Sequence, residues 1–519
     1  MISNTNQAAL KTGPGCCGAA TCGACGSGGI ARRDFVTGLG VAAGLALTGA
    51  AAAQSGEPAR QMPIRTPLII QPVFLYSTPT RRQETSWRSW GAIQTEEDAS
   101  AEKNRIQGEL AQMKKVAEFP LEILPLAPVK TRDDAAALAK GAYDMTLNFT
   151  AGYEDAVMDT LIAPPEHHNL MFVRHRSGPV YLSYEHAHPR YVRKQVDEKY
   201  PGRTSDDVVV DSYAEVLWRL RALYGLKNTL GKRIVTVGGE GGWGAGGRGA
   251  SNRARETWKF DIQNVSYPEL GERVKRAHAN DTLVKRCLAA ADSYLKDKKV
   301  TSLETSREAV ENCFVLTEVF HDLLDEFHTD SITINQCMGT IMQVTGTTAC
   351  IPLSILNSDG YQAFCESDFV VIPAGTLLSY IASKPFFMSD PTYPHDGVVT
   401  CAHCTAPRKL DGVQVDPVRI RTHFESDFGA APKVEFRKGQ AVTNVVADFA
   451  GKRWLGVAGE VLGSPDMPIC RSQVDIGIKG DTRKLVEEIR GFHWMTAYGD
   501  YLREVGYAVK KNNTDWLTV

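Results

Sequence analysis

Strand-length apolar runs alternate with amphipathic helical stretches through most of the chain, and that rhythm restricts the fold more than any other feature. Leu68-Ile69-Ile70 with Val73-Phe74-Leu75, Leu121–Leu124, Met145–Phe149 and Arg233–Val237 read as strands. Between them Glu96–Glu118, Asp133–Lys140 and Tyr213–Tyr224 read as helices. Strands separated by helices imply parallel β-α-β units. The series continues with helical patterns at Leu270–Leu295 and Thr305–Phe327, a strand at Ile332–Ile334 and a short helix at Thr376–Ala382. Past Asp396 the texture changes to short β-rich pieces broken by Gly and Pro, at Lys433–Phe436, Ala441–Val446, Trp454–Val461 and Val474–Ile478, with a final helix expected over Thr496–Val509. The expected architecture is two Rossmann-like parallel α/β domains, residues 63–232 and 233–395, followed by a β-rich domain, residues 396–519, built as antiparallel sheet or a small barrel.

The N-terminus is of another kind. Residues 1–30 are rich in Gly, Ala and Cys; then come Arg32-Arg33, a mildly apolar Gly/Ala/Leu stretch, and Ala51-Ala52-Ala53. Twin arginines, a weak apolar core and small residues before a cut make up a twin-arginine export signal. Four glycines between Phe35 and Ala53 leave that core poor as a permanent anchor. The reading is cleavage near residue 53 and a soluble periplasmic or secreted product. That export route carries folded proteins, often with a cofactor already bound.

Composition removes other classes. With 58 basic and 60 acidic residues the net charge is −2, so there is no cationic excess to meet nucleic-acid phosphates. No internal apolar run reaches the roughly 18 residues a membrane helix needs. Eight cysteines remain past the leader, from Cys287 to Cys470, too sparse for a disulfide scaffold.

Several segments carry candidate chemistry. Eight of the twelve residues Gly238–Gly249 are glycine, and Gly242-Trp243-Gly244-Ala245-Gly246-Gly247 satisfies the dinucleotide-binding pattern G-x-G-x-x-G. Trp243 is bulky where a phosphate would approach, and no long helix is expected before Trp258, so a loop closing on a ligand is the favoured reading. His167, His168, His175, His186 and His188 lie in a polar stretch and read mainly as surface residues. Further on, Cys365-Glu366-Ser367-Asp368 precedes an apolar helix, Asp390 ends a strand-like run, and Cys401-Ala402-His403-Cys404 and Gly491-Phe492-His493-Trp494 follow. Carboxylates and imidazoles at element ends of an α/β domain suit a hard or borderline divalent ion such as Mn²⁺. The plain alternatives are that Asp368 caps a helix and that Cys401 and Cys404 are core thiols.

These residues resemble the L-fucose isomerase and L-arabinose isomerase superfamily. The resemblance lies in Cys365-Glu366-Ser367-Asp368, in Asp390 at its separation from Glu366, in His403-Cys404-Thr405-Ala406-Pro407, and in His493-Trp494-Met495-Thr496-Ala497-Tyr498-Gly499-Asp500. It spans about Ile332 to Asp500; residues 63–230 are similar in architecture only. The resemblance implies two α/β domains before a β-rich one, and an Mn²⁺ site near their junction. It implies Glu366, Asp390 and His493 as metal ligands, His403 as a fourth, and Glu366 and Asp390 as the groups that move protons. It further implies aldose–ketose isomerisation of a pentose or deoxyhexose, and a homo-oligomer. Trp243, Arg408 and Trp494 are candidate sugar contacts. The export signal, the glycine-rich loop and Trp494, where many members have a second His or a small residue, depart from the family pattern. Two other classes fit the same sequence: an exported nicotinamide-dependent sugar oxidoreductase using the Gly242–Gly247 loop, and a non-catalytic periplasmic sugar receptor.

Overall fold

The computed structural model describes residues 65–192 and 204–519; the expected export segment lies outside the described residues. The first domain is a six-stranded parallel sheet. Leu68–Leu75 pairs with Leu121–Ile123, Ala127–Val129 and Met145–Thr150, and the sheet continues through His168–Val173 to Val208–Val210. Met145–Thr150 is buried at every position, as a parallel strand covered on both faces must be. The crossover helix Glu96–Val116 starts where Thr95 and Asp98 form a reciprocal capping box.

The second domain holds a four-stranded parallel sheet in the order Gln362–Phe364, Ser331–Ile334, Arg233–Val237, Asp261–Val265. The helical stretch expected over Leu270–Leu295 is two helices, Tyr267–His278 and Asp281–Lys296. They are separated at Asn280, whose side chain caps the second by accepting from the Leu283 amide. The loop after Arg233–Val237 leads into a nine-residue helix, Ala250–Trp258, which the sequence reading had not placed.

The C-terminal part is a closed antiparallel barrel. Its strands run Ala441–Ala447, Trp494–Tyr498, Phe387–Pro391, Val398–His403, Ser472–Ile478 and Arg453–Gly463, and the last pairs back with the first. Asp515–Thr518 adds in parallel to the outside of Arg453–Gly463. The barrel therefore takes in Phe387–Pro391, which precedes residue 396. A small sheet also ties it to the second domain by pairing Val300–Glu304 with Val418–Arg421. The helix expected over Thr496–Val509 is in fact a strand, Trp494–Tyr498, followed by a helix, Leu502–Lys511.

One helix joins the three units. Ile372–Ala382 is buried along its whole length and packs against the helix Tyr213–Thr229 and the barrel strand Trp494–Tyr498. Contact is close enough to require glycine at Gly375, where a Cβ would come within 2.6 Å of the Phe364 ring and 3.0 Å of the Met495 sulfur. This packing sets the carboxyl ends of the second parallel sheet against one mouth of the barrel. Among the described residues no helix is long and apolar enough to cross a membrane.

Candidate metal centre

Five side chains meet where the sheet and the barrel mouth face each other. The barrel supplies three from neighbouring strands. Asp390 lies near the end of Phe387–Pro391, His403 ends Val398–His403, and His493 directly precedes Trp494–Tyr498. The register pairs Asp390 with Ala402 and Ser389 with Trp494, so the three positions share one rim. The second domain supplies Glu366 and Asp368 from the turn just beyond Gln362–Phe364, at the carboxyl end of a parallel strand where α/β folds place their sites. Glu366 and Ser367 there both have left-handed backbone, at φ 59° and 46°. Two such residues in succession cost of order 1–3 kcal/mol each and persist only where surrounding contacts hold them.

Glu366, His403 and His493 each offer a donor atom, and the three atoms lie within 4.8 Å of one another. Glu366 Oε1 is 3.7 Å from His403 Nε2 and Oε2 is 3.6 Å from His493 Nε2. Asp390 Oδ1 stands 3.0 Å from the same His493 Nε2. The two carboxylates are thus no farther apart than those two contacts laid end to end, while Asp390 stands just outside the trio whose donor atoms fall within 4.8 Å. The His493 Nε2 to Asp390 Oδ1 approach lacks hydrogen-bond geometry, and both atoms are buried without a hydrogen-bond partner. With the imidazole charged the two form an ion pair, and a cation between them would take the place of the imidazole's second proton. The donor set of two carboxylates and two imidazoles fits a borderline divalent ion.

The imidazoles are locked from behind. His493 Nδ1 donates to Asp368 Oδ2 at 2.7 Å. A carboxylate only accepts, so this bond fixes the proton on Nδ1 and leaves Nε2 for the centre. Asp368 is itself held by the Trp243 and Val370 amides, at 3.2 and 3.1 Å on Oδ1. The helix it precedes has Val371 as its N-cap and no side-chain cap, so Asp368 orients His493 and does not cap the helix. The only sequence sign of this role was its place in the Cys-Glu-Ser-Asp segment. His403 Nδ1 lies 2.9 Å from Thr405 Oγ1.

Burial by itself would lower the pKa of His403, but Glu366 and Asp390 outweigh it and carry the imidazole up to about 9. His493 follows the same balance, with Asp368 and Asp390 raising it to about 10 against burial. Burial would raise Glu366, yet His403 and His493 hold it below the usual carboxylate value. The imidazole side chains are 5% and 0% exposed, against 26% for Glu366 and 31% for Asp390. A ligand from solvent therefore meets the carboxylates first.

The glycine-rich loop closes over this centre. Gly241 bridges to Asp368, and Gly242 and Gly247 press on each other's backbone with no room for a Cβ. Trp243 is 42% exposed and stacks on Phe492 with ring centroids 3.8 Å apart. Phe492, which the sequence reading overlooked, lies against His493 in turn. The other two candidate sugar contacts are placed elsewhere. Trp494 is completely buried within the barrel core and presents no open face. Arg408 is buried as well, paired with Asp297 at 3.1 Å and set over the Tyr294 ring. Of the histidines read as surface residues, His188 is exposed but His186 is buried, and His167, His168 and His175 are half-buried.

No protein-family model matches this chain, and no curated protein matches it either.

Proposed function

We propose that the protein is a divalent-metal-dependent aldose–ketose isomerase acting on a small monosaccharide, a pentose or deoxyhexose, through an enediol. One observation carries the reading: two part-exposed carboxylates stand over two buried imidazoles, with Asp390 Oδ1 and His493 Nε2 3.0 Å apart and outside hydrogen-bond geometry. The resemblance around Glu366, Asp390 and His493 points the same way. Glu366, Asp390, His403 and His493 would hold the ion, Mn²⁺ in this proposal. When bound, the ion would polarise the sugar carbonyl and stabilise charge developing on the adjoining oxygens, a Lewis-acid effect of several kcal/mol.

The remaining work falls to side chains. Moving a carbonyl between C1 and C2 requires removing the proton on the neighbouring carbon and returning one to the other carbon. Glu366 and Asp390 both face the approach side, so one serves as base at carbon while the other carries a proton between the two sugar oxygens. Each such transfer typically contributes about 10²–10⁴-fold. Asp368 keeps His493 in place, and the Trp243–Phe492 pair offers an apolar wall for a sugar face.

Solvent deuterium gives the direct test. With Mn²⁺ supplied and an aldose panel in D₂O, product is expected to carry deuterium on C1 or C2. Failure of every aldose to react would sink the proposal, and turnover without label would remove the enediol. The ordering of Arg233–Val237, glycine loop and helix Ala250–Trp258 favours one second reading, a nicotinamide-dependent sugar oxidoreductase. That reading predicts a nucleotide that copurifies and absorbs or fluoresces. A sugar receptor instead predicts tight sugar binding that survives chelation.

Export is a separate proposal. Replacing Arg32 and Arg33 together by Lys is expected to retain the precursor in the cytoplasm, judged by fractionation. Undiminished export of that variant would leave the leader reading without support.

A further inference from the structure

Glu366 belongs to a second cluster. Its carboxylate and the thiols of Cys337 and Cys365 also place one donor atom each within 4.8 Å of the others. Cys365 follows the strand Gln362–Phe364 directly, and Cys337 lies three residues past the neighbouring parallel strand Ser331–Ile334. Left-handed backbone at Gln336, φ 56°, and at Glu366 marks both turns as held in unusual conformations. Cys365 is buried and Cys337 half-buried, so the cluster has a dry wall on one side and an entry from solvent on the other. Thiolates are soft donors, and two of them with one carboxylate make a three-ligand set with a position left open, suited to Zn²⁺ or Co²⁺ over Mn²⁺ or Mg²⁺.

We propose that Cys337, Cys365 and Glu366 form a second, thiolate-rich divalent metal site, and that the Glu366 carboxylate bridges it to the imidazole centre. Charge balance favours the pairing. Each thiol releases one proton to solvent as its sulfur binds, with no change of oxidation state, so two thiolates offset the two charges of the added ion. Glu366 and the aspartates of the imidazole centre then do not have to neutralise two dications by themselves. Carboxylate-bridged ion pairs in proteins lie about 3.5–4 Å apart. The inference shares only Glu366 with the isomerase proposal, and the two fail by different measurements.

The test adds Co²⁺ to the full chain after metal removal and reduction, reading metal per chain and the near-ultraviolet thiolate-to-cobalt absorption. Two ions per chain and a clear thiolate band are expected. Cys337→Ser should remove the band and lower the content from two ions to one. His493→Ala should also lower the content to one but keep the band. Because Cys365 is buried, the half-buried Cys337 carries the decisive substitution. Absence of the band, or a band that Cys337→Ser leaves intact, overturns the second site; the latter would move the thiolates to the separate buried group in which Cys350 and Cys404 pack with Cys470. Free-thiol counting on the freshly purified, unreduced chain adds one more overturning outcome, a Cys337–Cys365 disulfide that leaves no thiolates for an ion. Unchanged cobalt content in His493→Ala would instead count against the imidazole centre alone.

Discussion

Replacing Glu366 by Gln is expected to lower aldose turnover by about 10²–10⁴-fold, the typical contribution of a positioned proton-transfer group. Gln keeps the length and one oxygen donor but is no base. Glu366 is part-exposed on the open side of the centre and touches the imidazoles rather than the core, so thermal unfolding should stay close to wild type. The loss should fall on kcat, with KM changed much less, because an interaction used in the transition state is what has been removed. Asp390→Asn should behave alike. If Glu366→Gln kept near-full turnover, Glu366 would lose its place as a proton-transfer group.

Much of the architecture was legible in the sequence because the parallel strands are buried on both faces. Met145–Thr150, with Thr and Asn between its apolar residues, and Arg233–Val237, apolar after its leading arginine except for Thr236, stand out as segments with uncharged interiors between charged helices, and that signal survives without any knowledge of the neighbours. The failures have equally local causes. Ala277-His278-Ala279-Asn280-Asp281 keeps helical spacing while Asn280 starts a new helix, so the break inside Leu270–Leu295 was hidden. Trp494–Tyr498 is buried at every residue, which erases the alternation that announces an antiparallel strand. It also runs straight into a region of true helix.

The candidate site was legible in its ligands but not in their supports. Glu366, Asp390, His403 and His493 carry donor chemistry that can be read from residue type and position near element ends. Trp494 and Arg408 have equally suggestive chemistry, yet one fills the barrel core and the other pairs with Asp297. Nothing in residue type separates a Trp that lines a site from one that packs a barrel. Asp368 could not be told from a helix cap, because its partner, His493, stands 125 residues away. Trp243 is legible for its ring, but its backbone amide also holds Asp368, which no side-chain reading would select.

Asp368 gives the second large effect. Asp368→Asn preserves an acceptor for His493 Nδ1 but removes the charge, whereas Asp368→Ala removes both. Loss of a carboxylate behind a metal-bound histidine typically costs 10–100-fold in affinity, so the expected order of Mn²⁺ affinity at high pH is wild type, Asn, Ala. The pH dependence separates orientation from mere structure. In the metal-free protein, carboxylate neighbours hold His403 up to about 9 and His493 up to about 10. Both imidazoles therefore carry two protons at neutral pH, and each gives one up when an ion binds. Apparent affinity should rise with pH until those values are passed, by about tenfold per unit for each proton released. Taking away the Asp368 charge lets His493 release its proton at lower pH. The Asn variant should then bind more weakly at high pH and show a shallower slope through neutrality. Titration calorimetry in buffers of differing ionisation enthalpy measures both the affinity and the proton count. Wild-type affinity and slope in both variants would mean that Asp368 holds the turn and nothing more.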